Sequence, residues 1–147
     1  MRMTISFDMD GTIADLYAVK NWLGYLEAFD TTPYAEAKPL INLSALARQI
    51  NRLQKKGYYF EIISWCSKAH NEDYDCRVAE VKKEWLAKHL PSVKWDKINI
   101  VPYGVAKTTV GAYGILFDDE EQNRRDWNEY SYKAYDEKNI LEILRGM

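Results

Sequence analysis

Two aspartates separated by a single residue follow a short apolar run near the start of the chain. Residues 5–14 read ISFDMDGTIA, so Asp8 and Asp10 come directly after a candidate strand and enter a turn that contains Gly11. In a βα unit, ligands are bound beyond the carboxyl end of the strand. Two carboxylates placed there are destabilising unless they bind a cation or transfer protons. The segment therefore predicts a metal site or an acid–base site.

Other polar residues follow later candidate strands or lie just before them. Ser64 ends the strand predicted at 59–64, and an acidic pair, Asp118 and Asp119, follows the strand predicted at 114–117. Lys107 lies on the segment that leads into that last strand. The carboxyl ends of parallel strands share one edge of the sheet, so we expect these side chains to converge there.

The side chains in this set can hydrolyse a phosphomonoester. A carboxylate that attacks phosphorus forms an acyl phosphate and divides one difficult step into two. Mg²⁺ binds oxygen ligands and neutralises the charge between two anionic reactants. A second carboxyl group would protonate the leaving oxygen and then activate water. A lysine and a hydroxyl group would hold the phosphoryl oxygens.

The order of these features resembles the four motifs of the haloacid dehalogenase-like (HAD) phosphohydrolases. The motifs are Asp-x-Asp-Gly-Thr, a Ser or Thr after the second strand, a Lys, and an acidic pair after the fourth strand. In this chain they correspond to residues 8–12, Ser64, Lys107 and the pair Asp118-Asp119. HAD members that break carbon–halogen bonds lack the second acid of the first motif, so Asp10 favours a phosphatase over a dehalogenase.

The resemblance implies a role for each matching residue. Asp8 would be the nucleophile and a ligand of Mg²⁺, and Asp10 would be the general acid/base with its backbone carbonyl on the metal. Asp119 would be a further metal ligand supported by Asp118, although the assignment within this pair stays open. The predicted substrate-binding residues are Thr12, Ser64, Trp65 and Lys107. Ser67 is the alternative to Ser64, and Lys68, Lys94 and Lys97 are the alternatives to Lys107.

The periodicity predicts an α/β fold: a Rossmann-like, HAD-like three-layer sandwich. Its mainly parallel five-stranded sheet would carry helices on both faces. We expect one domain, 1–147, with a minimal cap insertion at about 16–39. Leu16, Val19, Leu23 and Leu26 predict a helix from Ala14 to about Phe29, and the Pro-bounded segment 33–39 predicts a linker. The predicted strands are 3–7, 59–64, 97–101, 114–117 and 131–135, and the later helices are about 42–56, 75–89, 121–128 and 137–144.

Composition narrows the class of protein. The 147 residues suffice for one domain, and a net charge of −2 argues against a large nucleic-acid footprint. No signal peptide or membrane-spanning run is recognisable, and Cys66 and Cys76 are expected to be free thiols. We therefore expect a cytoplasmic protein without a membrane partner.

The expected substrate is a nucleotide or another small phosphorylated metabolite, because aromatic rings in the cap segment and Trp65 could stack on a nucleobase. The chain is also loosely similar to 5′-deoxyribonucleotidase-like phosphatases and to the phosphatase domain of polynucleotide kinases, through a polar helix bearing Arg124, Arg125 and Trp127. A nucleic-acid end-processing (3′-) phosphatase is therefore one alternative, and a non-catalytic phosphate-binding module is another.

A second subunit of a homo-oligomer could cover the open site.

Overall fold

A five-stranded parallel sheet flanked by helices forms the centre of the molecule in the computed structural model, which describes residues 3–147. The strands are β1 (Thr4–Phe7), β4 (Tyr59–Trp65), β5 (Lys97–Val101), β6 (Gly114–Phe117) and β7 (Lys133–Tyr135), in the order β5-β4-β1-β6-β7. Two short strands, β2 (Ala14–Asp15) and β3 (Lys38–Pro39), form a separate antiparallel pair. The predicted α/β fold and parallel sheet are confirmed.

The register of the sheet brings the predicted site residues together. β1 is a fully buried strand between β4 and β6, and its last residue, Phe7, pairs with Ile62 on one side and Phe117 on the other. The backbone N–H of Asp8 donates to the carbonyl of Phe117 (2.9 Å). The residues that follow β1 and β6 therefore lie side by side at the carboxyl edge of the sheet.

In the described part of the chain, six helices flank the sheet or cover its carboxyl edge: α1 (Trp22–Glu27), α2 (Thr32–Glu36), α3 (Leu43–Lys55), α4 (Glu72–His89), α5 (Glu121–Tyr130) and α6 (Ile140–Arg145). The side chains of Asn42 and Asn71 accept hydrogen bonds from backbone N–H groups in the first turns of α3 and α4. Gly57, with φ of 101°, follows α3 in the left-handed conformation typical of a helix end. Apolar side chains fill both sides of the sheet, with Phe7, Leu46 and Leu86 on one side and Ile63 and Trp127 on the other.

The helix predicted from Ala14 to about Phe29 is wrong. The segment instead forms β2, a 3-10 turn (Leu16–Ala18) and the short α1, because Asp15 pairs with Lys38 and Asn21 adopts a left-handed conformation with φ of 61°. Leu16 and Leu26 are buried as predicted, whereas Leu23 is exposed. The predicted linker at 33–39 contains most of α2 and all of β3.

The strands predicted at 97–101 and 114–117 are found with the predicted bounds, and the other predicted elements are found with shifted ends. Helix α4 starts at Glu72, three residues earlier than predicted, because the cap is Asn71. The last helix divides into a 3-10 turn (Glu137–Asn139) and α6, and β7 begins at Lys133. In residues 3–147, no helix has the length and apolar character needed to cross a membrane.

Candidate active site

The side chain of Asp8 lies at the carboxyl end of β1, and Asp8 is buried. Its Oδ1 accepts a hydrogen bond from Lys107 Nζ (2.9 Å), and its Oδ2 lies 3.0 Å from the hydroxyl of Thr12. Met9 points into the core, and its carbonyl accepts hydrogen bonds from three backbone N–H groups of the following turn. The turn therefore fixes both carboxylates of the Asp8-Met-Asp10 segment on the solvent side of the sheet edge.

Gly11 permits the acidic pair after β6 to approach this turn. Its φ of 81° lies in the region that favours glycine, and a Cβ there would overlap the carboxylate of Asp119. The hydroxyl of Thr12 lies 3.2 Å from Asp119 Oδ1, and it accepts a hydrogen bond from the backbone N–H of Asp119 (3.2 Å). The Gly-Thr step thus joins the ends of β1 and β6 into one cluster.

Three carboxylates in this cluster form a suitable site for a metal ion. One oxygen each of Asp8, Asp118 and Asp119 lies within 4.8 Å of the others. Burial and the neighbouring charge of Asp8 raise the pKa of Asp118 to about 6 and that of Asp119 to about 8. A divalent cation would remove this repulsion, and an all-oxygen donor set fits Mg²⁺. The residues present therefore fit the predicted cofactor.

Two buried lysines balance part of the negative charge. Lys107 Nζ donates to Asp8 Oδ1 and to Asp118 Oδ2 (2.7 Å), while Lys82 Nζ donates to Asp10 Oδ2 (2.8 Å). Burial opposes ionisation of Asp8, but Lys107, Asp119 and Lys82 together outweigh it and lower the pKa of that carboxyl. With Asp119 included, four carboxylates face two ammonium groups, so one divalent cation would bring the ionised cluster to neutrality.

Lys82 is a site residue that the sequence interpretation missed. It is only 1% exposed, and besides Asp10 its Nζ donates to the hydroxyl of Ser64 (2.6 Å) and the carbonyl of Trp65 (2.7 Å). Its position on α4 shares an apolar stripe with Val78 and Trp85, so a lysine on the inward face of a helix was the available signal. The three alternative lysines weighed against Lys107, at positions 68, 94 and 97, are all exposed.

The remaining predicted substrate-binding residues lie in two settings. Ser64 and Thr12 are buried and bonded within the cluster, while Trp65 lines the cavity above it. The indole N–H of Trp65 donates to the carbonyl of Val105 (2.8 Å), and its ring centroid lies 5.4 Å from Lys107 Nζ. Ser67 lines the same cavity. The roles of all four in binding substrate stay predictions.

A cavity of about 260 Å³ opens above the carboxylates. Its base includes Asp8, Asp10 and Lys107, and its walls include five aromatic side chains. The rings of Tyr17 and Trp22 make an edge contact with centroids 5.0 Å apart, and Trp65 and Tyr103 form a second ring pair at 5.0 Å. The cavity therefore joins an anionic floor, which fits a cation, to partly apolar walls that leave room for a small substrate.

Comparison with known proteins gives matches at the level of structure. No protein-family model matches the chain, and no curated protein matches it by sequence. The D,D-heptose 1,7-bisphosphate phosphatase from Burkholderia thailandensis superposes with a TM-score of 0.62 at 10% identity, covering 99% of this chain and 97% of that one. The same enzyme from B. bronchiseptica, crystallised with magnesium and phosphate, gives 0.54 at 13% identity over 90% of this chain and 78% of that one. The chain has the HAD-like fold.

Within the HAD-like fold, the four predicted motifs meet at the carboxyl edge of the sheet. The first motif follows β1, Ser64 lies near the end of β4, Lys107 occupies a 3-10 turn (Lys107–Thr109) before β6, and the acidic pair follows β6. Hydrogen bonds connect all four through Asp8, Lys107 and Lys82. The convergence expected from the sequence is therefore observed, with Lys82 as an addition.

The raised pKa values give a prediction for stability in this HAD-like fold. Asp118 and Asp119 keep their protons to about pH 6 and about pH 8 in the folded, metal-free chain, whereas the unfolded chain releases them near pH 4. Folding stability should therefore fall as pH rises from about 5 to about 8, and the stabilisation by MgCl₂ should grow over the same range.

Melting temperatures in EDTA and in MgCl₂ across this range would test the prediction. The lowered pKa of Asp8 acts only at more acidic pH, so it does not obscure the trend. Asp119→Asn should flatten the EDTA curve and reduce the gain from MgCl₂. A metal-free melting temperature that rises steadily from about pH 5 to about pH 8 would contradict the assignment of these carboxyls.

Proposed function

We propose that this chain is a Mg²⁺-dependent phosphomonoester hydrolase that acts through an aspartyl-phosphate on Asp8. The observation that carries the proposal is the Asp8 carboxylate itself, which is held by Lys107 and Thr12 beside two further carboxylates and faces an open cavity. A carboxylate fixed in this way has the orientation and neighbours that a nucleophile towards phosphorus needs.

In the first step, an oxygen of Asp8 forms a bond to phosphorus while the bond to the leaving oxygen breaks. Asp10 gives its proton to that oxygen. Burial raises the pKa of Asp10 even though Lys82 opposes the shift, and this favours a carboxyl group that can carry a proton. When bound by Asp8, Asp119 and the backbone carbonyl of Asp10, Mg²⁺ would neutralise charge on the phosphoryl group.

In the second step, water attacks the phosphorus of the acyl phosphate. Asp10 takes a proton from that water, the bond to the carboxylate oxygen breaks, and Asp8 is restored as phosphate leaves. Lys107 donates to Asp8 and Lys82 donates to Asp10 and Ser64, so the two ammonium groups and the Ser64 hydroxyl would hold phosphoryl oxygens in both steps.

We propose a nucleotide as the substrate, with its base between the aromatic walls of the cavity. The segment 16–39 supplies Tyr17, Trp22 and Tyr34 to those walls and so acts as a minimal cap. The arginines that would favour nucleic-acid ends have partners within the chain: Arg124 donates to the carbonyl of Asp118, and Arg125 pairs with Glu121. Small nucleotides are therefore favoured over polymer ends. A cytoplasmic location remains our proposal, consistent with two free thiols.

Phosphate release with MgCl₂ from nucleoside monophosphates, sugar phosphates and 3′-phosphorylated oligonucleotides tests the proposed function. We expect nucleoside monophosphates to be hydrolysed best, with activity lost in EDTA. Preferred hydrolysis of the oligonucleotides would favour end processing instead. An absence of release from every member of the panel would contradict the enzyme and support a phosphate-binding module.

Trp22→Ala tests the part of the proposal that concerns the base. Stacking of a base on an aromatic ring contributes roughly 1–3 kcal/mol, so KM for the preferred nucleotide should rise by about 5- to 150-fold. Hydrolysis of glycerol phosphate, which has no ring to stack, should change little. Tyr113→Ala is the matched control because Tyr113 is exposed outside the cavity and packs on Tyr132. If Trp22→Ala reduced hydrolysis of the nucleotide and of glycerol phosphate equally, the result would contradict base stacking.

A further inference from the structure

A buried glutamate in the middle of β4 has no role in the proposed chemistry. Glu61 is 4% exposed, and in residues 3–147 no ion pair to its carboxylate is observed. Its Oε1 accepts two hydrogen bonds, from the hydroxyl of Ser6 (2.9 Å) and from the backbone N–H of Ala112 (3.0 Å). A carboxylate in the core is destabilising without such partners, so its position there calls for a reason.

The bond to Ala112 anchors the segment that carries Lys107. The N–H groups of Val110 and Gly111 both donate to the carbonyl of Lys107, which makes the turn compact. Gly111 lies flat against the sheet, since a Cβ there would overlap the side chain of Ile63 and approach Glu61 Oε1 to 2.9 Å. The short and tightly packed segment from Lys107 to Ala112 thus connects the backbone of Lys107 to the carboxylate of Glu61.

Trp65 anchors the same segment from its other end. Residues 61, 63 and 65 of β4 point to the same side of the sheet because side chains alternate along a strand. The indole N–H of Trp65 donates to the carbonyl of Val105, which precedes Lys107 in the chain. The backbone N–H of Ala112, which follows Lys107, donates to the carboxylate of Glu61. The 105–112 turn, defined by these two contacts, is therefore held at both ends by one strand.

We infer that Glu61 is a positioning residue that fixes Lys107 beside Asp8 by holding the 105–112 turn. The inference rests on the proposed function, in which the ammonium group of Lys107 contacts the phosphoryl oxygens. Lys107 Nζ bonds Asp8 and Asp118 at 2.9 and 2.7 Å, and it is almost fully buried. A displaced turn would move this charge away from the nucleophile, and small misplacements of an oriented group produce large losses in rate.

A double-mutant cycle tests the inference. Glu61→Leu removes the acceptor and should lower kcat/KM by roughly 10- to 100-fold, whereas Glu61→Gln keeps an acceptor oxygen and should stay within about 3-fold of the original chain. Because Glu61 acts through Lys107, adding Glu61→Leu to Lys107→Met should cause no further loss. Leu53→Ala, on the buried face of α3, is the control for destabilisation alone, with circular dichroism confirming that each variant is folded.

Two results would overturn the inference. One is a Glu61→Leu chain that is folded and as active as Leu53→Ala. The other is a Glu61→Leu/Lys107→Met chain in which the losses in kcat/KM of the two single variants multiply. Binding of inorganic phosphate with MgCl₂, measured by calorimetry, serves as a second readout that needs no turnover. An original chain that hydrolyses nothing would contradict the proposed function, whereas unchanged phosphate affinity in Glu61→Leu would overturn the positioning role.

Discussion

Replacing Asp8 with asparagine is expected to reduce phosphate release by at least about 10³-fold, because the amide cannot attack phosphorus as the carboxylate does. The fold should survive, since the amide oxygen could still accept a hydrogen bond from Lys107 and the substitution removes a charge from a cluster that repels itself. The expected result is therefore a folded chain with no turnover. Phosphate release and circular dichroism measured on the same sample would check both parts.

The control for this experiment is Asp73→Asn. Asp73 has an 82% exposed side chain in the first turn of α4 and pairs with Arg77 of the same helix, so its replacement should leave activity unchanged. Removal of Asp8 should also weaken the stabilisation by MgCl₂, because a ligand is lost. An Asp8→Asn chain that retains a tenth or more of the activity would exclude Asp8 as the nucleophile.

Lys82→Met is expected to affect stability and activity together. The substitution leaves the partly buried carboxylate of Asp10 without its cation and the hydroxyl of Ser64 without its donor. Breaking a buried pair by removing one partner typically costs about 3–5 kcal/mol of stability. The general acid/base and the phosphoryl-binding hydroxyl also lose their common anchor, so kcat/KM should fall by roughly 10²-fold.

The adjacent Lys83 offers a matched control, because it shares the local sequence and helix but is exposed. Lys83→Met should change neither the melting temperature nor kcat/KM appreciably. Denaturant unfolding and steady-state kinetics of the two variants, measured where both are folded, would separate the site effect from a general effect of losing a positive charge. Similar behaviour of Lys82→Met and Lys83→Met would contradict the placement of Lys82 at the site.

Local signals sufficed for the sheet and for most of the cluster. The apolar runs ending at Phe7 and Phe117 are short, fully buried strands, and their parallel pairing follows from the alternation of strands and helices. Once the strands are parallel and adjacent, Asp8 and Asp118 must emerge side by side. The motif order then points to Lys107, whose Nζ joins these two carboxylates.

Long-range pairing determined what the sequence interpretation got wrong. The apolar spacing of Leu16 and Leu26 fits a helix, but Asp15 pairs with Lys38 far along the chain and Asn21 takes a left-handed conformation. Neither the strand pairing nor the conformation of Asn21 is visible in the local sequence strongly enough to outweigh the helical spacing of the apolar residues. Lys82 was missed for a related reason, because its burial depends on Asp10 and Ser64, which are distant in sequence.

The most direct test of the account uses Asp10→Asn with p-nitrophenyl phosphate and MgCl₂. The nitrophenolate leaves without a proton, so Asp8 can still be phosphorylated, whereas attack of water lacks its base. We predict a burst of about one nitrophenolate per chain. Mass spectrometry after acid quenching should locate one phosphoryl group on Asp8, and none in the Asp8→Asn/Asp10→Asn chain. No burst and no phosphoryl group on Asp8, with an original chain that hydrolyses the ester, would contradict the aspartyl-phosphate mechanism.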